Sequence, residues 1–301
     1  MPNRKRLSKA VVPAAGLGTR LLSATMEQPK EMLPLFASEG RTLCVKPTVQ
    51  QIYEQLFDFG IREFCFVVGK GKRAIEDHFT PDRDYVNELN SRGRSIQALQ
   101  LERFYDRIDD STIVWINQPE PRGFGHAVLQ AEPFVRDETF MVHAGDAYIS
   151  SKSESIHARL LKAHFGSGAD VTLAVKEVSD PRQYGVTELR RSNTGRLQVT
   201  SVEEKPTKPK TKFAIMALYI FVESIFDSLK KTKKDRRGEL QLTDAIQGLI
   251  NQGRKVQAVS LQSDDLRLDI GTPETYWEAL ELSHRIATKR SYIPTPDTSN
   301  G

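Results

Sequence analysis

Residues Val12 to Arg20 read Val-Pro-Ala-Ala-Gly-Leu-Gly-Thr-Arg, and Pro29-Lys30-Glu31-Met32-Leu33-Pro34 follows shortly after. No other stretch constrains the fold as tightly. Ala10 to Ala15 is an apolar run of strand length, and Gly16 and Gly18 then let the backbone turn its N–H groups toward an anion with no Cβ in the way. Arg20 and Lys30 set fixed positive charge beside those amides. Backbone donors combined with Arg and Lys suit the clustered charge of a nucleoside triphosphate better than a mononucleotide. Ala14, Ala15, Gly16, Gly18 and Thr19 are therefore the expected nucleotide-binding positions, with Arg20 and Lys30 as catalytic cations.

Two commoner glycine loops do not fit. The dinucleotide fingerprint requires a third glycine where this chain has Leu21, which would obstruct packing of helix on strand. A P-loop requires Gly-Lys-Ser/Thr after four spacers, and no such triplet follows Gly16.

The rest of the chain alternates strand-like and helix-like patterns. Val49, Ile52, Leu56 and Phe59 recur at helical spacing and Gly60 can end the helix, after which Glu63 to Val68 reads as a buried strand. Ile113–Ile116, Phe140–Val142 and Val171–Val175 are further strand-length runs, and Ile156 to Phe165 reads as an amphipathic helix behind Ser155 as cap. Such alternation implies a central sheet covered by helices on both faces, with the ligand at the carboxyl ends of the strands. Asp84 to Asp110 is polar and charged, so it reads as a helical excursion over the site mouth or as a flexible insert. Thr272-Pro273-Glu274 is a helix start for a terminal helix to about Ile286. We expect one catalytic domain over residues 8–288 and a flexible tail over 289–301.

Composition closes off other classes. The net charge of +4 is small for 301 residues, and its cations are interleaved with acids, so nucleic-acid binding is not called for. No apolar stretch is long enough to span a membrane, and the basic start lacks the apolar core of an export signal. The only two cysteines, Cys44 and Cys65, have no metal-ligand or redox spacing, so a reducing cytoplasm is the expected compartment.

The first loop and Pro29–Pro34 together resemble the signature of the sugar-1-phosphate nucleotidyltransferases, and within them the bacterial-type UTP–glucose-1-phosphate uridylyltransferases. The resemblance continues through Gln118 with Gly123-Phe124-Gly125-His126-Ala127, Gly145-Asp146, Tyr184-Gly185-Val186, Glu203-Glu204-Lys205-Pro206, Gly238 to Ile246, and Asp269-Ile270-Gly271. It implies an α/β, Rossmann-like three-layer αβα sandwich with a mixed, mostly parallel central sheet, the GT-A-like nucleotidyltransferase fold. The implied reaction is attack of a sugar 1-phosphate on the α-phosphorus of UTP, giving UDP-glucose from glucose 1-phosphate, in a cytoplasmic homodimer or homotetramer.

By that resemblance Asp146 and Asp269 would bind one Mg²⁺, an assignment that suits hard oxygen ligands at two strand ends. Lys205 would contact the sugar phosphate, with Gly185 and Glu204 at the sugar. Gln118 suits the imide edge of uracil or thymine, donating and accepting at once, and Gly123 allows backbone approach to the base. Glu31 either helps to hold the nucleoside or forms a salt bridge with a neighbouring cation. His126 reads as a helix-start or packing residue rather than a catalyst. One departure stands out: where the uridylyltransferases usually carry Gly-Arg-Tyr, this chain carries Ala217-Leu218-Tyr219. The rival readings are a thymidylyltransferase, a uridylyltransferase for another sugar phosphate, a noncatalytic nucleotide-sugar sensor and a dehydrogenase.

Overall fold

The computed structural model describes residues 7–40, 42–193 and 195–291. Strand β1 (Lys9–Ala14) is wholly buried, and it leads into the glycine loop. A short antiparallel ribbon, β2 (Pro34–Glu39) and β3 (Thr42–Pro47), then precedes α1 (Thr48–Phe59), which Gly60 ends as expected. Next come β4 (Glu63–Gly69), α2 (Arg73–His78), α3 (Arg83–Ser91), α4 (Ser95–Asp109) and β5 (Thr112–Gln118). Helices α5 (Phe124–Gln130) and α6 (Glu132–Val135) connect to β6 (Phe140–His143) and β7 (Ala147–Ser150). Helix α7 (Ile156–Ser167) begins at Ser155, whose hydroxyl accepts a hydrogen bond from the Ala158 N–H at 3.2 Å. The remaining elements are β8 (Val171–Glu177), β9 (Gly185–Arg191), β10 (Leu197–Glu204), β11 (Phe213–Phe221), α8 (Ser224–Lys231), α9 (Leu242–Asn251), β12 (Val256–Ser260), β13 (Leu266–Asp269) and α10 (Pro273–Ser291).

Nine strands form one sheet in the order β5-β4-β1-β6-β11-β8-β12-β10-β9. Strict alternation along its inner strands sends Ala10, Val12, Phe64 and Phe66 to one apolar cluster and Val11, Cys65 and Val67 to another. Helices α1, α4 and α7 supply the first cluster, and α5, α8 and α9 the second. Three layers follow from that two-sided burial.

The sheet is mixed, as expected, but parallel pairing does not dominate throughout. Strands β5, β4, β1 and β6 run parallel, and so do β8 and β12. In contrast β11 is antiparallel to β6, β8 and β9, and β10 is antiparallel to β12 and β9. The physical reason is connection length. Residues 192–196 are too few for a crossover helix, so β9 and β10 must pair as a hairpin.

One further expectation is resolved between its two readings, and another is corrected. The 84–110 region is helical rather than loose: α3 and α4 place Val86, Ala98 and Phe104 in the same core cluster as Tyr53 and Phe64. Among the described residues none from that insert borders the loop cavity described below, so it does not cover the site mouth. The terminal helix begins at Pro273, with Thr272 Oγ1 accepting from the Thr275 N–H at 3.2 Å, but it continues past Ile286 to Ser291. Residues 289–291 of the expected tail are thus helical, and 292–301 lie outside the described residues.

Candidate functional site

At the carboxyl ends of β1 and β5, and bordered by the segments after β6 and β10, lies a cavity of about 390 Å³. Ala15, Gly16, Gly18, Thr19, Arg20, Lys30, Glu31, Gln118, Gly123, Asp146 and Lys205, all expected from sequence, border it. A larger cleft of about 570 Å³, lined by Lys46, Glu54, Arg107 and His157 among others, holds none of them.

The glycine loop is built to receive an anion. None of the backbone N–H groups of Gly16, Leu17, Gly18, Thr19 or Arg20 donates to an acceptor among the described residues. Gly18 has a φ of 67°, in the left-handed region that glycine adopts without strain, and its carbonyl is tied down by the Thr25 hydroxyl at 2.9 Å. Unpaired amides that face water in the free protein become hydrogen-bond donors to a phosphate. Ala14 is the exception among the expected loop residues: it ends β1 in the core and does not border the cavity.

Opposite the loop, Lys30 makes a short ion pair with Asp146. Burial works against the Lys30 ammonium, but the carboxylates of Asp146, Glu31 and Asp269 outweigh it and hold its pKa above the ordinary lysine value. Burial likewise opposes ionisation of Asp146, yet Lys30 and then Arg267 keep its carboxyl below the usual range. Asp269 does not border the cavity but stands beside it. Strands β7 and β13 pair antiparallel with Asp269 opposite Ala147, which brings the two acids to the same end of that ribbon. A Cβ on Gly271 would lie 3.0 Å from Asp269 Oδ2 and 3.6 Å from Arg20 Nη2, so acid and guanidinium share one corner. Arg267 holds Asp269 Oδ1 at 3.0 Å.

The donor set fits a hard divalent cation. Among the described residues no group of three or more His, Cys, Asp or Glu gathers to make an all-protein cage. Two carboxylates at one end of the β7–β13 ribbon, one of them on the cavity, suit a divalent ion that completes its shell with phosphate oxygens and water.

The base end departs from expectation in detail. Gln118 is buried, and its amide nitrogen donates to Gly123 O at 3.2 Å and to His126 Nδ1 at 2.8 Å. The amide therefore cannot both donate and accept toward a base here, since only its oxygen is left. Gly123, with φ of 95°, is required for another reason than access to a base: a Cβ there would meet Leu240 O at 2.8 Å. Glu31 is almost wholly buried and pairs with Lys72 at 2.7 Å. Of the two roles considered for Glu31, the salt bridge is the one present, on a residue that still borders the cavity. Burial lifts its carboxyl above the usual range even so, with Lys72 and Lys30 acting the other way.

At the far end Lys205 follows β10 and reaches the cavity from a left-handed backbone, φ 42°. Its Nζ lies 3.3 Å from Glu204 Oε1, and Thr243 donates its hydroxyl to Glu204 Oε2 at 2.6 Å. Gly185 stands opposite Glu204 in the β9–β10 register; neither of the two borders the loop cavity. Ala217 has φ of 53° in a β-bulge of β11, and its carbonyl accepts from the Ala144 N–H at 3.0 Å, two residues before Asp146. The position where the uridylyltransferases usually have glycine is thus a left-handed one.

Sequence reasoning missed Lys72, Arg267 and Thr243. Lys72 lies 41 residues from Glu31, and no local pattern connects them. Thr243 was within reach, because it sits in the Gly238–Ile246 segment already singled out.

The nucleotidyl transferase family matches residues 9–285. A UTP–glucose-1-phosphate uridylyltransferase of Staphylococcus epidermidis is 37% identical over 272 residues, covering 89% of this chain and 88% of the relative. That of Bacillus subtilis is 36% identical over 271 residues, with 89% and 87% covered. A UDP-glucose pyrophosphorylase structure with UDP-glucose is 27% identical, with a TM-score of 0.79 over 93% of this chain and 100% of the other. The UTP-bound UGPase of Acinetobacter baumannii is 25% identical, with a TM-score of 0.78 over 92% and 93%. Matched by that family over residues 9–285, and 36–37% identical to these two uridylyltransferases over 89% of its length, the chain belongs to the nucleotidyl transferase family.

Proposed function

We propose that this enzyme makes UDP-glucose and diphosphate from UTP and glucose 1-phosphate. The observation that carries the reading is the convergence of free loop amides, Arg20, Lys30, Asp146 and Lys205 on one cavity. The activity named for relatives 36–37% identical over 89% of the chain supports it.

The chemistry needs little beyond charge and position. A phosphate monoester with a second pKa of about 6 is largely dianionic at neutral pH, so the nucleophile requires no general base. One of its oxygens forms a bond to the α-phosphorus as the bond to the departing diphosphate breaks, and the negative charge is conserved. The loop amides and Arg20 hold the β- and γ-phosphates, and Lys30 leaves Asp146 to meet the α-phosphate. Lys205 draws in the sugar phosphate while Glu204, steadied by Thr243, accepts from sugar hydroxyls. Asp146 and Asp269 would hold Mg²⁺, which when bound would supply neutralisation of phosphate charge.

We read residues 8–288 as one catalytic unit, which the family match over 9–285 supports. The exposed Leu43 and Val45 of the ribbon, and Trp277 on α10 beside it, favour a homodimer or homotetramer. The free Cys44 and Cys65 suit the cytoplasm. Among the described residues no helix is long and apolar enough to cross a membrane. The decisive assay follows diphosphate release with Mg²⁺ across UTP, dTTP, CTP, ATP and GTP against several sugar 1-phosphates. UTP with glucose 1-phosphate is expected to lead, and release from another pair alone would refute the assignment.

A further inference from the structure

His126 lies at the start of α5, outside the cavity lining, yet it touches the residue best placed to read the base. Gln118 sits at the end of β5 and is 4% exposed. A primary amide has two hydrogens on nitrogen, and both are engaged: one on Gly123 O at 3.2 Å, the other on His126 Nδ1 at 2.8 Å. Gly123 O is a backbone carbonyl and can only accept, so it fixes which end of the amide is nitrogen. His126 must then accept at Nδ1 and carry its proton on Nε2; the Gln130 amide, whose nitrogen stands 3.3 Å from Nε2, accepts that proton only when turned to present its oxygen. Burial, then Arg122 and Lys234, hold the His126 pKa below the ordinary value, with Glu120 acting the other way, so the ring is neutral and able to accept.

The carbonyl oxygen of Gln118 is the end left for the cavity. Uracil and thymine carry an N–H at ring position 3, whereas cytosine has a bare lone pair there. An oxygen at this spot hydrogen-bonds to the first two and repels the third. We propose that His126 is a positioning residue for nucleotide choice, holding the Gln118 amide so that its oxygen selects an imide N–H and rejects cytosine. The inference rests on the proposal that the cavity takes UTP. It leaves uracil and thymine equal, since both have the imide.

The experiment compares kcat/KM for UTP and CTP in the wild-type enzyme, His126→Leu and His126→Asn, with glucose 1-phosphate and Mg²⁺. Asparagine places an oxygen near the site of Nδ1 and keeps the acceptor; leucine keeps bulk alone. In His126→Leu the UTP:CTP ratio is expected to fall about fivefold or more, chiefly through KM for UTP. His126→Asn is expected to restore most of it. An unchanged ratio in a folded His126→Leu enzyme overturns the inference, and so does a ratio in His126→Asn as low as in the leucine variant. Should His126→Leu not fold, the asparagine variant decides: a near-wild-type ratio supports the acceptor role and a collapsed one refutes it. Wild-type enzyme that releases no diphosphate from UTP brings down the functional reading instead, and this inference with it.

Discussion

The two halves of the sheet build their parts of the site by different means. In the parallel half, the loops that follow β1 and β5 put glycine at the unusual backbone angles: Gly18 at φ 67° and Gly123 at φ 95°. In the antiparallel half the comparable positions are Lys205 at φ 42° and Ala217 at φ 53°, both with side chains. A non-glycine residue in that region costs on the order of 1 kcal/mol or more, so on the proposed roles the sugar end carries strain the nucleotide end avoids. The phosphate loop needs only its backbone, and glycine suffices. Lys205 must present an ammonium from a tight turn after β10, where a glycine would have nothing to present.

The largest effect should come from the seam between the halves. Asp146→Asn is expected to lower kcat about a thousandfold while UTP affinity, measured by calorimetry, changes less than about tenfold. Comparable losses in both would assign Asp146 to nucleotide binding and not to the reacting centre.

Within the nucleotide half, Lys72→Met leaves buried Glu31 without the cation that hydrogen-bonds it, with Lys30 alone nearby, and is expected to lower unfolding free energy by about 3 kcal/mol. The deficit depends on pH. The folded Glu31 carboxyl already titrates above its ordinary range, so the folded state binds the proton more tightly and stability falls as pH rises through that window. Removing Lys72 raises the folded value further, and denaturant titrations should find the deficit shrinking from about pH 8 to about pH 5. A deficit independent of pH would mean the lysine matters for packing alone.

In the sugar half, Lys205→Ala and Lys205→Gly should raise KM for glucose 1-phosphate alike, by about tenfold or more, with little change for UTP. Their stabilities should differ: the glycine variant relieves the left-handed backbone and melts higher than the alanine variant. Equal melting would show that the turn is not strained. Smallest of all, Ala217→Gly is expected to stabilise by up to about 1 kcal/mol, the relief at the bulge exceeding the flexibility glycine adds to a strand. A loss of stability would place the value of Ala217 in its methyl contacts.

The same contrast explains what could be read from sequence. The strand–glycine loop–helix rhythm around β1, α1 and β4 is local and periodic, so Gly60 as a helix end and Glu63 as a strand start were legible. The bulge at Ala217 was not, because Phe213–Phe221 is an uninterrupted apolar strand with nothing to mark a reversed φ. The insert's charges left its helical and loose readings open, and only the packing of Val86 from α3 and of Ala98 and Phe104 from α4 into the core decides between them. Most site residues were accessible because they sit at strand ends, whereas Lys72 and the Gln118–His126 contact depend on which turns meet in space.

In the proposed reaction, loop amides, two lysines, an arginine and a divalent ion bring two polyanions together for exchange. Its most direct test is diphosphate release by the purified chain given UTP, glucose 1-phosphate and Mg²⁺, with chelator added to a parallel sample. Stoichiometric release of diphosphate and UDP-glucose, abolished by the chelator, is the result expected; no release, or release indifferent to the chelator, would contradict it.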